Sequence, residues 1–234
     1  MNLKYADENR LFLFSGHYGS GKTEVSINYA MRLATAYRTT IVDFDIVNPY
    51  YRTADARGGL EAKGIRVIAS QFAKSNADAP AMPAEISSVF DDKGVKAVFD
   101  VGGDSAGARA TSVYRDYFLA EKYFHFFIFN IRRQITSTVS GLIEAFYDIQ
   151  GNARLPFTAL INNTNLMDRT GPKDLFEGLE TACELSERLS LPLAFSTYME
   201  GASPSAADAD SFFERSREFG TDVFILKKHI RMPN

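Results

Sequence analysis

One octapeptide restricts this chain more than any other feature: Gly16-His17-Tyr18-Gly19-Ser20-Gly21-Lys22-Thr23, which fits the spacing G-x-x-x-x-G-K-[ST]. Each position has a physical reason. Gly16 permits a sharp exit from a preceding strand. Gly19 and Gly21 let the backbone approach phosphate oxygens without a Cβ in the way. The amides from Gly19 through Ser20 to Thr23 can converge as an anion-binding nest at a helix N-terminus. Lys22 brings a charge for the β- and γ-phosphates, and the Thr23 hydroxyl is a Mg²⁺ ligand candidate. The motif works only between a strand and a helix. Here it follows the apolar run Leu11–Phe14 and opens the amphipathic stretch Thr23–Tyr37.

The rest of the chain extends that pattern. Apolar runs that read as buried strands are Leu11–Phe14, Thr39–Phe44, Ile65–Ala69, Ala97–Val101, Tyr123–Phe129, Phe157–Ile161, Leu193–Phe195 and Val223–Leu226. Segments with helical spacing lie between most of them, including Thr23–Tyr37 and Lys173–Leu189. Runs that are apolar throughout suit a parallel sheet covered on both faces. The alternation predicts a doubly wound, mostly parallel α/β fold with three α/β/α layers. Ser75–Pro83 reads as a surface loop, and no long Pro/Gly/Ser linker divides the 234 residues, so a single domain spanning 1–234 is expected.

Composition removes competing classes. With 26 Lys and Arg against 29 Asp and Glu the formal charge is −3, which argues against bulk nucleic-acid binding. The longest apolar run, Tyr123–Ile131, is far short of the roughly 20 residues a membrane helix needs. The basic cluster Lys227-Lys228-His229-Ile230-Arg231 follows a strand-like segment rather than forming an amphipathic helix, so membrane binding is not expected. The single Cys183 points to a reducing cytoplasm.

Two acidic motifs follow the loop. Asp43 and Asp45 end the second strand as D-x-D, and alternate strand residues face one side. Asp100-Val101-Gly102-Gly103 ends a later strand as D-x-x-G. There Asp100 can hold Mg²⁺ through water, and Gly103 can offer its N–H to a γ-phosphate. With these residues in this order, the chain resembles the SIMIBI class of P-loop NTPases, and most nearly its MinD/ParA-like group (the CobQ/CobB/MinD/ParA nucleotide-binding domain), over roughly residues 10 to 200. The resemblance implies a parallel sheet with the P-loop strand beside the Asp100 strand, ATP with Mg²⁺, and often a nucleotide-dependent homodimer. It assigns Asp45 to orienting the attacking water, Asp43 to the Mg²⁺ and water shell, and Asn162, with Asn163 beside it, to the adenine. The guanine-reading N-K-x-D pattern is missing from Asn162-Asn163-Thr164-Asn165, which favours ATP over GTP.

Departures shape the rest of the reading. His17 stands where the group carries its signature Lys, and a near-neutral imidazole does not replace a permanent cation. Arg52, Arg57 and Arg109 are substitute candidates. Asn48-Pro49-Tyr50-Tyr51-Arg52 falls where the group has its first switch and reads as a partner contact or a lid. Gly103-Asp104-Ser105-Ala106-Gly107 also fits the G-x-S-x-G nucleophile elbow, but the only later histidines are His125, inside an apolar run, and His229. The expectation is therefore a slow Mg²⁺-dependent ATPase that acts as a nucleotide-controlled switch or docks an unknown protein partner. The alternative is an ATP-dependent ligase or kinase of the CobB/dethiobiotin-synthetase type, with Arg132 and Arg133 binding an acidic co-substrate. A serine hydrolase using Ser105 is remote.

Overall fold

The computed structural model describes residues 5–44, 53–69, 84–103, 105–202 and 205–230. Its centre is one eight-stranded sheet: β1 (Leu11–Ser15), β2 (Thr39–Phe44), β3 (Arg66–Ala69), β4 (Lys96–Val101), β5 (Tyr123–Phe129), β6 (Ala159–Asn162), β7 (Leu193–Met199) and β8 (Asp222–Leu226). The spatial order is β3-β2-β4-β1-β5-β6-β7-β8. Every pairing is parallel, so the mostly parallel expectation becomes a wholly parallel one. The P-loop strand β1 lies between β4 and β5, beside the Asp100 strand. The chain changes direction across the sheet here, and that reversal opens a crevice at the carboxyl ends of the strands.

Helices cover both faces: α1 (Lys22–Leu33), α2 (Arg57–Glu61), α3 (Ala84–Asp91), α4 (Ser105–Val113), α5 (Arg115–Leu119), α6 (Val139–Ala153), α7 (Pro172–Leu189) and α8 (Ala206–Glu218). Alternate residues of one strand enter different cores. Leu11 and Leu13 pack with Phe99, Phe127 and residues of α3 to α7, whereas Phe12 and Phe14 pack with Val98, Ile128 and the α1 residues Val25, Tyr29 and Leu33. That two-sided burial is why the strands read as continuous apolar runs. The arrangement is the three-layer α/β/α fold of P-loop NTPases.

Three boundaries differ from the apolar pattern by two residues or more. Helix α1 ends at Leu33 rather than Tyr37. The Thr35 hydroxyl donates back to the Arg32 carbonyl (2.8 Å), and Tyr37 turns to donate to Asp7 (2.9 Å). Strand β6 starts at Ala159, because the Gln150 side chain accepts the Phe157 N–H (2.8 Å) before the strand begins. Strand β7 continues past Phe195 to Met199 through buried Ser196 and Thr197, whose hydroxyls pair with Asn162 at the end of β6 and Asn163 just after it.

Candidate functional site

Gly16 leaves β1 so close to β5 that a Cβ would overlap the Ile128 carbonyl oxygen. Gly19 (φ +77°) and Gly21 (φ +84°) both adopt the left-handed conformation, which glycine enters without a steric penalty. Gly21 caps α1 with no side-chain hydrogen bond to the first helical N–H groups. The helix N-terminus therefore presents backbone donors and its positive dipole end to the crevice. Lys22 is buried, and its ammonium lies where a Cβ on Gly103 would come within 2.5 Å of Nζ. The same Cβ would come within 2.9 Å of the Tyr18 nitrogen, so the D-x-x-G turn rests directly on the phosphate loop.

Asp43 and Asp100 are register partners on neighbouring parallel strands, on the same face of the sheet as α1. Both are almost completely buried. The Thr53 hydroxyl donates to Asp100 Oδ2 (2.9 Å), while Oδ1 is buried without a hydrogen-bond partner. Burial, and then the neighbouring Asp43 charge, push the Asp100 carboxyl up to about 7 against the pull of the Lys22 ammonium. An orphaned carboxylate oxygen beside a second carboxylate is what a hard divalent cation relieves. Mg²⁺ is held by one or two carboxylates, a hydroxyl, water and phosphate oxygens. Asp43, Asp100 and Thr23 fit that donor set. No group of three or more acidic, His or Cys side chains that would form an all-protein metal cage occurs among the described residues.

The opposite wall is built from asparagines. Asn163 donates from Nδ2 to the Ser20 carbonyl (2.6 Å) and accepts the Thr197 hydroxyl on Oδ1 (2.6 Å). Asn165 adds a bond to the Asn163 carbonyl (2.8 Å). Asn162, the predicted adenine contact, turns into the sheet end: Nδ2 donates to Ser196 Oγ (3.2 Å), and Oδ1 accepts the Thr164 N–H (3.1 Å). It is 3% exposed, as is Asn163. Thus Asn163 is the member of the doublet that touches the phosphate loop.

The remaining candidates separate cleanly. Arg132 is bound to Asp174 (2.6 Å) and Glu177, so its guanidinium is committed to α7. Arg133 instead donates from Nε to the Gly19 carbonyl (2.8 Å) and is otherwise exposed. Arg57 pairs with Glu61 on the surface, and Arg109 is exposed on α4. His125 is completely buried, with Nε2 2.8 Å from Ser15 Oγ and Nδ1 3.2 Å from the Leu155 carbonyl, so both ring nitrogens are occupied within the core. His229 is drawn to α1 by Glu24, which accepts its backbone N–H (2.6 Å). The ring of His125 is thus engaged inside the sheet rather than at a solvent-facing turn. Asp45, Asn48–Arg52 and the Ser75–Pro83 loop lie outside the described residues. Nothing in the sequence marks Thr53 or Thr197, and Arg133, a candidate for an acidic co-substrate, binds the Gly19 carbonyl. The only advance signal was the Asn162-Asn163 doublet at a strand end.

No protein-family model matches the chain, and a search of curated proteins finds no match. Among solved structures, the chain is similar to the cell division protein FtsY of Thermotoga maritima, with a TM-score of 0.56 and 18% identity, covering 86% of this chain and 67% of that one. It also matches a nucleotide-binding protein of Archaeoglobus fulgidus in complex with ADP, with a TM-score of 0.49 and 15% identity, covering 94% of this chain and 93% of that one. At such identity the likeness to FtsY establishes a shared fold, which agrees with the strand order and phosphate-loop geometry described above.

Proposed function

We propose that this chain is a single nucleotide-binding domain that takes ATP with Mg²⁺ and hydrolyses it slowly, as a MinD/ParA-like switch that docks a protein partner. The observation that carries this reading is the convergence of an uncapped α1 N-terminus, buried Lys22 and the Asp43–Asp100 pair with its orphaned Oδ1 at one end of the sheet. The loop amides and Lys22 would bind the β- and γ-phosphates and stabilise charge that develops on the transferred group. Thr23, Asp43 and Asp100 would hold Mg²⁺, which neutralises phosphate charge when bound. Asp45 would position the attacking water. Gly103, close against Lys22 and Tyr18, would feel the γ-phosphate arrive or leave. The committed ion pairs of Arg132 weaken the biosynthetic ligase or kinase alternative, because that side chain is not free for an acidic co-substrate.

Calorimetric titration with ATP and GTP, with and without Mg²⁺, tests the reading, alongside hydrolysis assays on wild type and Lys22→Ala. The expected result is Mg²⁺-dependent ATP binding tighter than GTP binding, with hydrolysis lost in Lys22→Ala. A wild-type protein with no measurable affinity for either nucleotide would overturn it.

A further inference from the structure

We infer that Arg133 is a positioning residue of the phosphate loop, clamping it in the form that receives a nucleoside triphosphate; the inference rests on the function proposed above. The clamp acts on the outside of the loop. The Arg133 Nε–H donates to the Gly19 carbonyl (2.8 Å), and the N–H of the same peptide unit, that of Ser20, donates to the His17 carbonyl (3.1 Å). One planar peptide is therefore held at both ends. The next carbonyl, that of Ser20, is held by Asn163. A trans peptide turns its N–H away from its C=O, so holding the Ser20 carbonyl toward Asn163 turns the Gly21 N–H away from Asn163.

The segment that presents Arg133 is itself rigid. Asn130 donates to the Asn165 carbonyl (3.0 Å) and accepts the Arg132 N–H (2.9 Å). The Thr136 hydroxyl donates to the Asn130 carbonyl (2.8 Å), and Arg132 is pinned to α7 by two carboxylates. Arg133 thus reaches Gly19 from a preorganised loop, and little ordering remains for the moment of binding. Gly19 has no Cβ to interfere; one there would come within 3.2 Å of the guanidinium Nε.

The bond pattern makes the inference testable by isosteres. Glutamine carries an N–H donor as many bonds from Cα as Arg Nε but has no charge. Lysine keeps the charge and has a methylene at that point. Calorimetric titration of Mg-ATP and ADP into wild type, Arg133→Ala, Arg133→Gln and Arg133→Lys should show both nucleotides weakened about tenfold in Arg133→Ala, about 1.4 kcal/mol. Arg133→Gln should recover most of the loss and Arg133→Lys little. In the nucleotide-free protein, hydrogen exchange at the Ser20 and Gly21 amides should speed up in Arg133→Ala with the melting temperature unchanged, since the side chain is exposed. Wild-type affinity and exchange in Arg133→Ala, or rescue by Lys but not Gln, would overturn the clamp while leaving nucleotide binding intact. A wild type that binds neither nucleotide overturns both readings.

Discussion

Asp100 concentrates the electrostatic cost of the site at a single side chain. The residue is 1% exposed, sits opposite Asp43 across one strand spacing and leaves Oδ1 without a partner. Replacing it with Asn removes one of two like charges from a buried site. Asp100→Asn is therefore expected to stabilise the metal-free protein at pH 8 by on the order of 1 kcal/mol. It should also abolish the Mg²⁺ dependence of nucleotide binding. Thermal unfolding and calorimetry would check both; an Asn variant less stable than wild type would contradict the like-charge account. Gly16 is the opposite case, where sterics decide. Because a Cβ there would overlap the Ile128 carbonyl, Gly16→Ala must push β1 and β5 apart. A loss of about 1–3 kcal/mol is expected in urea denaturation, and a variant as stable as wild type would show that the strands can yield.

Among the elements, α1 links the phosphate loop to the end of the described chain. Asn28 exchanges two hydrogen bonds with Lys227, donating from Nδ2 to its carbonyl and accepting its N–H on Oδ1, both at 2.8 Å. Four residues earlier, Glu24 accepts the N–H groups of His229 (2.6 Å) and Ile230 (3.2 Å), and Ile230 is buried. Burial raises the Glu24 carboxyl above its usual range against those donors, so the contact is a partly dehydrated one. Residues Lys227 to Ile230 thus lie along the helix that follows the phosphate loop. Asn28→Ala is expected to cost about 1–3 kcal/mol, as it strands both Lys227 backbone groups. It should also speed hydrogen exchange from Lys227 to Ile230. Unchanged exchange there would mean that Glu24 and Ile230 hold the segment without Asn28.

For the whole molecule, the acid side of the stability profile has an identifiable source in His125. Burial depresses its ring to about 3, below the ordinary 6.5, so the folded chain keeps it neutral where the unfolded chain protonates it. The unfolded state then binds more protons between about pH 6.5 and pH 3. The stability contributed by the neutral ring is present above that window and lost as the pH falls through it. Urea denaturation at pH 7 and pH 4 should show a steep decline for wild type and a shallower one for His125→Gln, with the variant weaker at pH 7 because Ser15 Oγ loses its partner. Equal declines would place the acid sensitivity elsewhere. His125 also shows how a polar residue inside an apolar run can serve the sheet: its ring lies 4.1 Å from that of Phe157 and ties β1 to the segment before β6.

The strand runs, the parallel α/β class and the phosphate loop were legible in the sequence because each follows from local rules: residues buried on both faces, and glycines at fixed offsets before a Lys-Thr pair. The Thr39–Phe44 and Tyr123–Phe129 runs coincide with β2 and β5. Apolar spacing could not find the end of α1, which side-chain bonds at Thr35 and Tyr37 set, or the polar half of β7, whose buried hydroxyls pair with Asn162 at the end of β6 and Asn163 just after it. Which of two adjacent asparagines reaches the loop, which of two adjacent arginines is ion-paired, and that Thr53 donates to Asp100 were decided by tertiary structure alone. Sequence order states which residue types the chain carries to the sheet end. The direction each side chain takes depends on contacts between segments 34 to 143 positions apart, and those contacts exist only once the strands have assembled.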